Sequence, residues 1–188
     1  MASEDLVSRL TAACIGETYN QYADSELRRS RLREYLAARD EAPFVLVGES
    51  AGYRGGRISG LAFTSERQLT GAGPAEASST IVHRVLRELE VEKDVLLWNV
   101  VPTHPGTATS NRRPTRAEIE ASKSFLAEVV RGRTAIAVGR LAAAVLEDAP
   151  YVRHPSRGGA TAFAQGLEAV FFRYTRPSAD ILSAPFSV

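Results

Sequence analysis

PFVLVGE, residues 43–49, decides the fold. It is a continuous apolar run opened by a proline and closed by Gly48 and Glu49. A short run bounded in this way reads as a strand buried on both faces, the pattern of a parallel sheet. Two more such runs follow, DVLLWNVV at 94–101 and TAIAVG at 134–139, and YVRH at 151–154 reads as a short fourth strand. Helical patterns separate them. Residues 76–90 place Ile81, Val82, Val85, Leu86 and Leu89 on one face. Thr115 with Glu118 forms a capping box for a helix through Val130. RLAAAVLEDA (140–149) follows the third strand directly, and PSRGG starts a last helix through Phe172. Upstream, residues 4–13 and 25–39 read as helices, the second with Ser25 as N-cap and Leu27, Leu32, Tyr35 and Leu36 as its apolar stripe. Strands alternating with helices predict a mostly parallel sheet with helices on both faces.

Composition bounds the rest. The 188 residues are 44% hydrophobic and 24% charged, enough apolar material for a core and too much for a disordered chain. One domain over residues 1–188 is expected, with the helices of residues 1–40 packed on it. No apolar run reaches the roughly 18 residues of a membrane helix. The opening MASED carries two acids and no apolar stretch, so no signal peptide is expected. One cysteine, Cys14, excludes an internal disulfide and a four-cysteine cluster, and fits a reducing cytoplasm. Twenty-three bases against 22 acids leave a net charge of +1, so an overall basic nucleic-acid footprint is absent. Residues 1–98 hold 12 bases and 15 acids, and residues 99–188 hold 11 and 7. This asymmetry favours an anionic partner on one face. All the bases but Lys93 and Lys123 are arginines, whose planar forks suit phosphate and aromatic stacking. An arginine- and alanine-rich composition would give the same ratio.

In an open parallel sheet, ligands bind beyond the carboxyl ends of the strands. Glu49, Asn99, Gly139 and His154 each stand at or just past such an end, so they are expected to converge. Beside them run segments too rich in Gly or Pro for mere connection. SAGYRGGRISGLAFTSERQL (50–69) reads as a long loop into a short helix, and PTHPGTATSNRRP (102–114) as a long polar loop. The tail 173–188 shows no period.

Three stretches together carry a resemblance. GESAGYRGGRISGLAFTSE (48–66), LLWNVVPTHPG (96–106) and HPSRGG (154–159) resemble, in order and spacing, the motifs of the uracil-DNA glycosylase superfamily. The first resembles its GEAPG-type loop, the second its strand ending in asparagine, the third its HPS loop. The resemblance implies a three-layer α/β/α sandwich with a central four-stranded parallel sheet. It implies a monofunctional glycosylase of base-excision repair that flips uracil, or another deaminated base, from DNA and hydrolyses its N-glycosidic bond, leaving an abasic site. No metal or organic cofactor is implied. The implied partner is uracil-containing DNA, met by a monomer without a membrane.

Roles follow motif by motif. Asn99 matches the asparagine whose amide faces uracil N3 and O4; an amide fixed in one orientation rejects cytosine, which has a donor at the exocyclic position. Phe63 matches the aromatic that stacks on the base, and Gly48 opens the same motif at the base pocket. His154 matches the HPS histidine that hydrogen-bonds uracil O2 as charge builds there, a task a neutral imidazole can perform. Glu49 matches the acidic position that positions water or favours the cationic sugar. Ser50 stands where water-orienting members have Asp or Asn, and Ala51 where proline is usual; the two departures favour a weaker enzyme, a shifted base preference or a non-catalytic relative. Ser156, Gly158 and Gly159 match the loop that meets DNA phosphates at a helix N-terminus. Arg157 is a candidate to fill the stack or bind phosphate. Arg54, Arg57, Arg112, Arg113 and Arg153 flank the same edge as phosphate candidates.

Other chemistries fit less well. The histidines are His83, His104 and His154, with no HxH or HxxxH pair for a metal. GESAGYRGG lacks dinucleotide spacing and is followed by no P-loop lysine. Cys14 lies in an N-terminal helix, away from the strand ends. No lysine occupies a motif position, so no Schiff base or strand-cleaving step is expected. The rival is a non-catalytic relative that binds nucleic acid or a base in the same pocket. A purely structural domain would instead bury Phe63 and Asn99 against each other.

Overall fold

The computed structural model describes residues 2–175. In chain order its elements are α1 (Ala2–Ala12), α2 (Glu26–Ala38), β1 (Phe44–Ser50), α3 (Gly56–Ser59), α4 (Glu66–Thr70), α5 (Ala77–Glu88), β2 (Val95–Val101), β3 (Gly106–Thr107), β4 (Ser110–Asn111), α6 (Arg116–Val130), β5 (Thr134–Val138), α7 (Arg140–Val145), β6 (Tyr151–Val152) and α8 (Ala160–Thr175). The four-stranded sheet has the order β2-β1-β5-β6, and every neighbouring pair is parallel. Its two central strands are therefore β1 and β5, and β2 is wholly buried although it lies at an edge.

Alternate residues feed two cores, because successive side chains of a strand point to opposite faces. Val45, Val47, Leu96 and Trp98 pack with Leu6 and Leu10 of α1, Leu32 and Leu36 of α2, Phe125 and Val129 of α6 and Leu141 of α7. Leu46, Leu97 and Ile136 pack with Val82, Val85 and Leu86 of α5 and Phe163 and Leu167 of α8. This is the three-layer α/β/α arrangement. The edge at β2 is closed by a side chain: the Leu97 N–H donates to the Tyr35 hydroxyl at 2.7 Å, which removes one unpaired donor from an edge strand.

Local expectations hold at several caps. The Ser25 side chain accepts from the Arg28 N–H at the start of α2, and Thr115 with Glu118 forms the reciprocal capping box of α6. Four expectations are corrected. Leu27 is 59% exposed, because α2 turns Arg28 and Arg31 toward Ile58 and Ser59 instead. The 50–69 loop holds two short helices, α3 and α4, each closed by a left-handed glycine, Gly60 and Gly71. Residues 102–114 are not simply a polar loop. Thr103 and His104 are fully buried, and β3 pairs antiparallel with β4 in a small hairpin. The helix after β5 ends at Val145. Of the tail, residues 173–175 continue α8, and residues 176–188 lie outside the described residues.

Candidate active site

Parallel register sets the site. Gly48 pairs with Asn99 across β1 and β2, so both reach the carboxyl edge of the sheet together. A Cβ on Gly48 would meet Asn99 Oδ1 at 2.7 Å and Phe63 Cε2 at 2.8 Å, with Phe63 Cζ nearer still. Glycine is thus required for Phe63 and Asn99 to share this point. Phe63 reaches it with φ +49°, a left-handed conformation that costs a bulky residue about 1–3 kcal/mol. On the other side, a Cβ on Gly139, just past β5, would lie 3.3 Å from His154 Cβ. The Phe63 and His154 rings stand 6.3 Å apart between centroids, tilted by 34°. The expected convergence of strand ends is therefore present.

The protonation pattern of His154 follows from its neighbours. The backbone N–H of Ser156 donates to His154 Nδ1 at 3.1 Å, and the Ser156 hydroxyl lies 2.8 Å from the same nitrogen. Nδ1 is thus an acceptor, and Nε2 carries the proton of a neutral ring. Burial, reinforced by the charge of Arg153, holds the imidazole pKa below its ordinary value. The Nε2–H has no acceptor among the described residues. Asn99, 5% exposed, likewise has a side-chain amide that no described residue hydrogen-bonds. Two polar groups with unfilled bonding capacity, one in β2 and one just past β6 on the carboxyl edge of the sheet, call for an external partner.

Glu49 and Ser50 are half-buried, and neither side chain is hydrogen-bonded by another described residue. Burial pushes the Glu49 carboxyl pKa up, and the charge of Arg113 opposes that rise. In the 153–159 loop, Arg157 and Gly158 have φ +52° and +74°. Gly159 leaves no room for a side chain, since a Cβ there would collide with the His154 carbonyl. Ser156, Arg157, Gly158 and Arg153 are exposed at the start of the 16-residue α8, and Arg153 donates to the Arg157 carbonyl at 3.4 Å.

The five flanking arginines divide. Arg54 and Arg113 are exposed, and the Arg54 guanidinium lies 5.4 Å from the Tyr53 ring centroid. Arg57 is drawn inward, its guanidinium 4.7 Å from the centroid of the Tyr19 ring. Arg112 forks onto the buried Glu118 carboxylate, with one bond of 2.8 Å. Hydrogen bonds from Arg112 lower the Glu118 pKa to about 2, against an opposing effect of burial.

Sequence reasoning missed two residues that shape the site loops. Glu76, just before α5, places its carboxylate against Gly52 and Gly55, where no side chain could stand; the Ser79 hydroxyl donates to it at 2.7 Å. Burial raises its pKa, opposed by Ser79. In sequence it shows only as an acid near a helix start. His104 puts Nδ1 2.7 Å from the Ala51 carbonyl and Nε2 2.8 Å from the Thr107 carbonyl, which ties the 50–56 loop to the β3–β4 hairpin. A histidine between two prolines gave no sign of that burial. Among the described residues, no three His, Cys, Asp or Glu side chains cluster as metal ligands, and no helix is long and apolar enough to cross a membrane.

The carboxyl edge of this parallel α/β/α sandwich thus presents an amide and an imidazole without hydrogen-bond partners among the described residues. Residues 37–180 match the Uracil DNA glycosylase superfamily, and the chain belongs to that family, whose members are DNA glycosylases of base-excision repair. Among solved structures, wild-type SMUG2 of Pedobacter heparinus superposes with a TM-score of 0.68 at 12% identity, covering 92% of this chain and 97% of that one. The wild-type UNG of Nitratifractor salsuginis gives a TM-score of 0.46 at 16% identity, over 89% and 88%. Comparison with curated proteins finds no match.

Proposed function

We propose that the protein is a monofunctional glycosylase for uracil in DNA. The observation that carries this reading is a pair of groups without partners among the described residues, the amide of buried Asn99 and the Nε2–H of half-buried His154. Uracil offers an acceptor, a donor and an acceptor along one edge: O4, N3–H and O2. Asn99 Nδ2–H suits O4, Asn99 Oδ1 suits N3–H, and the neutral His154 suits O2. Cytosine would set its amine against the Asn99 amine.

The base enters flipped from DNA and rests on Phe63. As the C1′–N1 bond breaks, its electron pair passes to the base, and His154 hydrogen-bonds the oxygen that gains charge. Glu49, as a carboxylate, stabilises the cationic sugar or holds the water that adds to C1′ with loss of a proton. Arg54, Arg113, Arg153, Arg157 and the 156–159 loop are assigned to the phosphates.

A second reading, a base-binding relative without turnover, draws on Ser50, which has no carboxylate. The test is alkali-cut cleavage of a labelled oligonucleotide with one uracil, by the wild type, Asn99→Ala and His154→Ala. Uracil-dependent cleavage that falls at least 100-fold in each variant supports catalysis. Tight binding without base release favours the second reading.

A further inference from the structure

We infer that residues 19–31 belong to the catalytic apparatus, with Tyr22, Arg28 and Arg31 acting as positioning residues for Phe63. α3 has only four residues, Gly56–Ser59, so its last carbonyls lack helical partners. Three consecutive carbonyls at this end are met from the N-terminal segment. Arg28 Nε donates to the Ile58 carbonyl at 3.0 Å, Arg31 to the Ser59 carbonyl at 3.3 Å, and the buried Tyr22 hydroxyl to the Gly60 carbonyl at 2.8 Å. Gly60, at φ +85°, lies so close that a Cβ would stand 2.9 Å from Arg28 Cβ and 3.1 Å from its Cα. Arg31 also forks onto Glu66 with two bonds of 2.8 Å, so the turn is held on both sides of Phe63.

The same segment holds the chain that follows Asn99. Gln21 donates to the Pro102 carbonyl at 2.8 Å, and Tyr19 and His104 exchange backbone hydrogen bonds of 2.9 and 3.0 Å. One stretch of chain thus fixes the Phe63 turn against the end of β2. Phe63 needs such support, since its left-handed backbone persists only where surrounding contacts over-determine it. The three donors stand before residue 37, where the family match begins.

The positioning role rests on the glycosylase reading, and the test separates the two. Tyr22→Phe removes one hydroxyl, and Arg28→Lys, the second variant, removes the Nε donor while keeping the charge. Amide hydrogen exchange over residues 56–64 is measured in the full chain without substrate. A rise of about tenfold there, with β1 and β5 unchanged, is expected of a brace that opens locally. Uracil release is then compared in wild-type and Phe63→Ala backgrounds. Tyr22→Phe is expected to lower kcat about tenfold in the first and to have no further effect in the second, the signature of residues that act through one another. Equal losses in both backgrounds, or unchanged exchange in both variants, would overturn the inference. Raised exchange with no uracil release by the wild type would retain the brace and overturn the glycosylase reading.

Discussion

Replacing Gly48 by alanine tests the point where Phe63 and Asn99 meet. The added methyl would stand 2.7 Å from Asn99 Oδ1 and 2.8 Å from Phe63 Cε2. Carbon contacts settle at about 3.5–4.0 Å, so the ring edge and the amide must each retreat by about 1 Å. Both side chains are buried, Phe63 8% and Asn99 5% exposed. Overpacking of this kind costs about 1–3 kcal/mol, and each kcal/mol lowers Tm by about 2–4 °C in a chain of this length. The functional loss is expected to exceed the structural one, because a 1 Å misplacement at a reacting centre costs about 100-fold. The assay is single-turnover base release from a uracil oligonucleotide with protein in excess, well below the variant's Tm. A rate within threefold of wild type, at a lowered Tm, would refute the claim that these two side chains hold the base. An unchanged Tm would refute their placement around Gly48.

Three further outcomes follow from the charged groups. The Glu118 pKa is lowered in the folded state to about 2, so its stabilisation is complete above the ordinary carboxylate value and lost as pH falls toward 2. With the ion pair screened by solvent at the part-exposed Arg112, this amounts to about 2 kcal/mol, which urea unfolding of Glu118→Gln at pH 7 should lose. His154 is lowered by burial and then by Arg153, so its neutral form persists below the ordinary imidazole value of 6.5. NMR titration of Arg153→Ala should find the imidazole titrating at higher pH than in wild type, and an unchanged midpoint would contradict that cause. For Glu49, burial raises the pKa and Arg113 opposes it, so Arg113→Ala should raise it further and move the acid limb of the kcat profile upward.

The fold was legible because its strands are short apolar runs with polar or glycine stops. PFVLVGE and DVLLWNVV could not be amphipathic helices at that length, and strand-end placement then brought Asn99, Glu49 and His154 together without any structure. Phe63 was legible only through the motif around it, since no local pattern announces an aromatic residue at positive φ. Arg112 looked like its neighbour Arg113. What separates them is Glu118, six residues on, whose second use beyond the capping box appears only in three dimensions. The bracing donors Tyr22, Arg28 and Arg31 were invisible for a related reason: the bonds by which they hold residues 58–60 go to backbone carbonyls, and a carbonyl has no residue type. Leu27 misled because a stripe at helical spacing does not say which turn of the helix reaches the core.

The most direct measurement is free uracil, identified by mass spectrometry, from a single-uracil oligonucleotide at low salt with limiting protein. The account predicts several uracil molecules released per protein, none from a matched cytosine oligonucleotide, and an unbroken strand until alkali is added. No uracil released even with protein in excess, or equal release of cytosine, would contradict it.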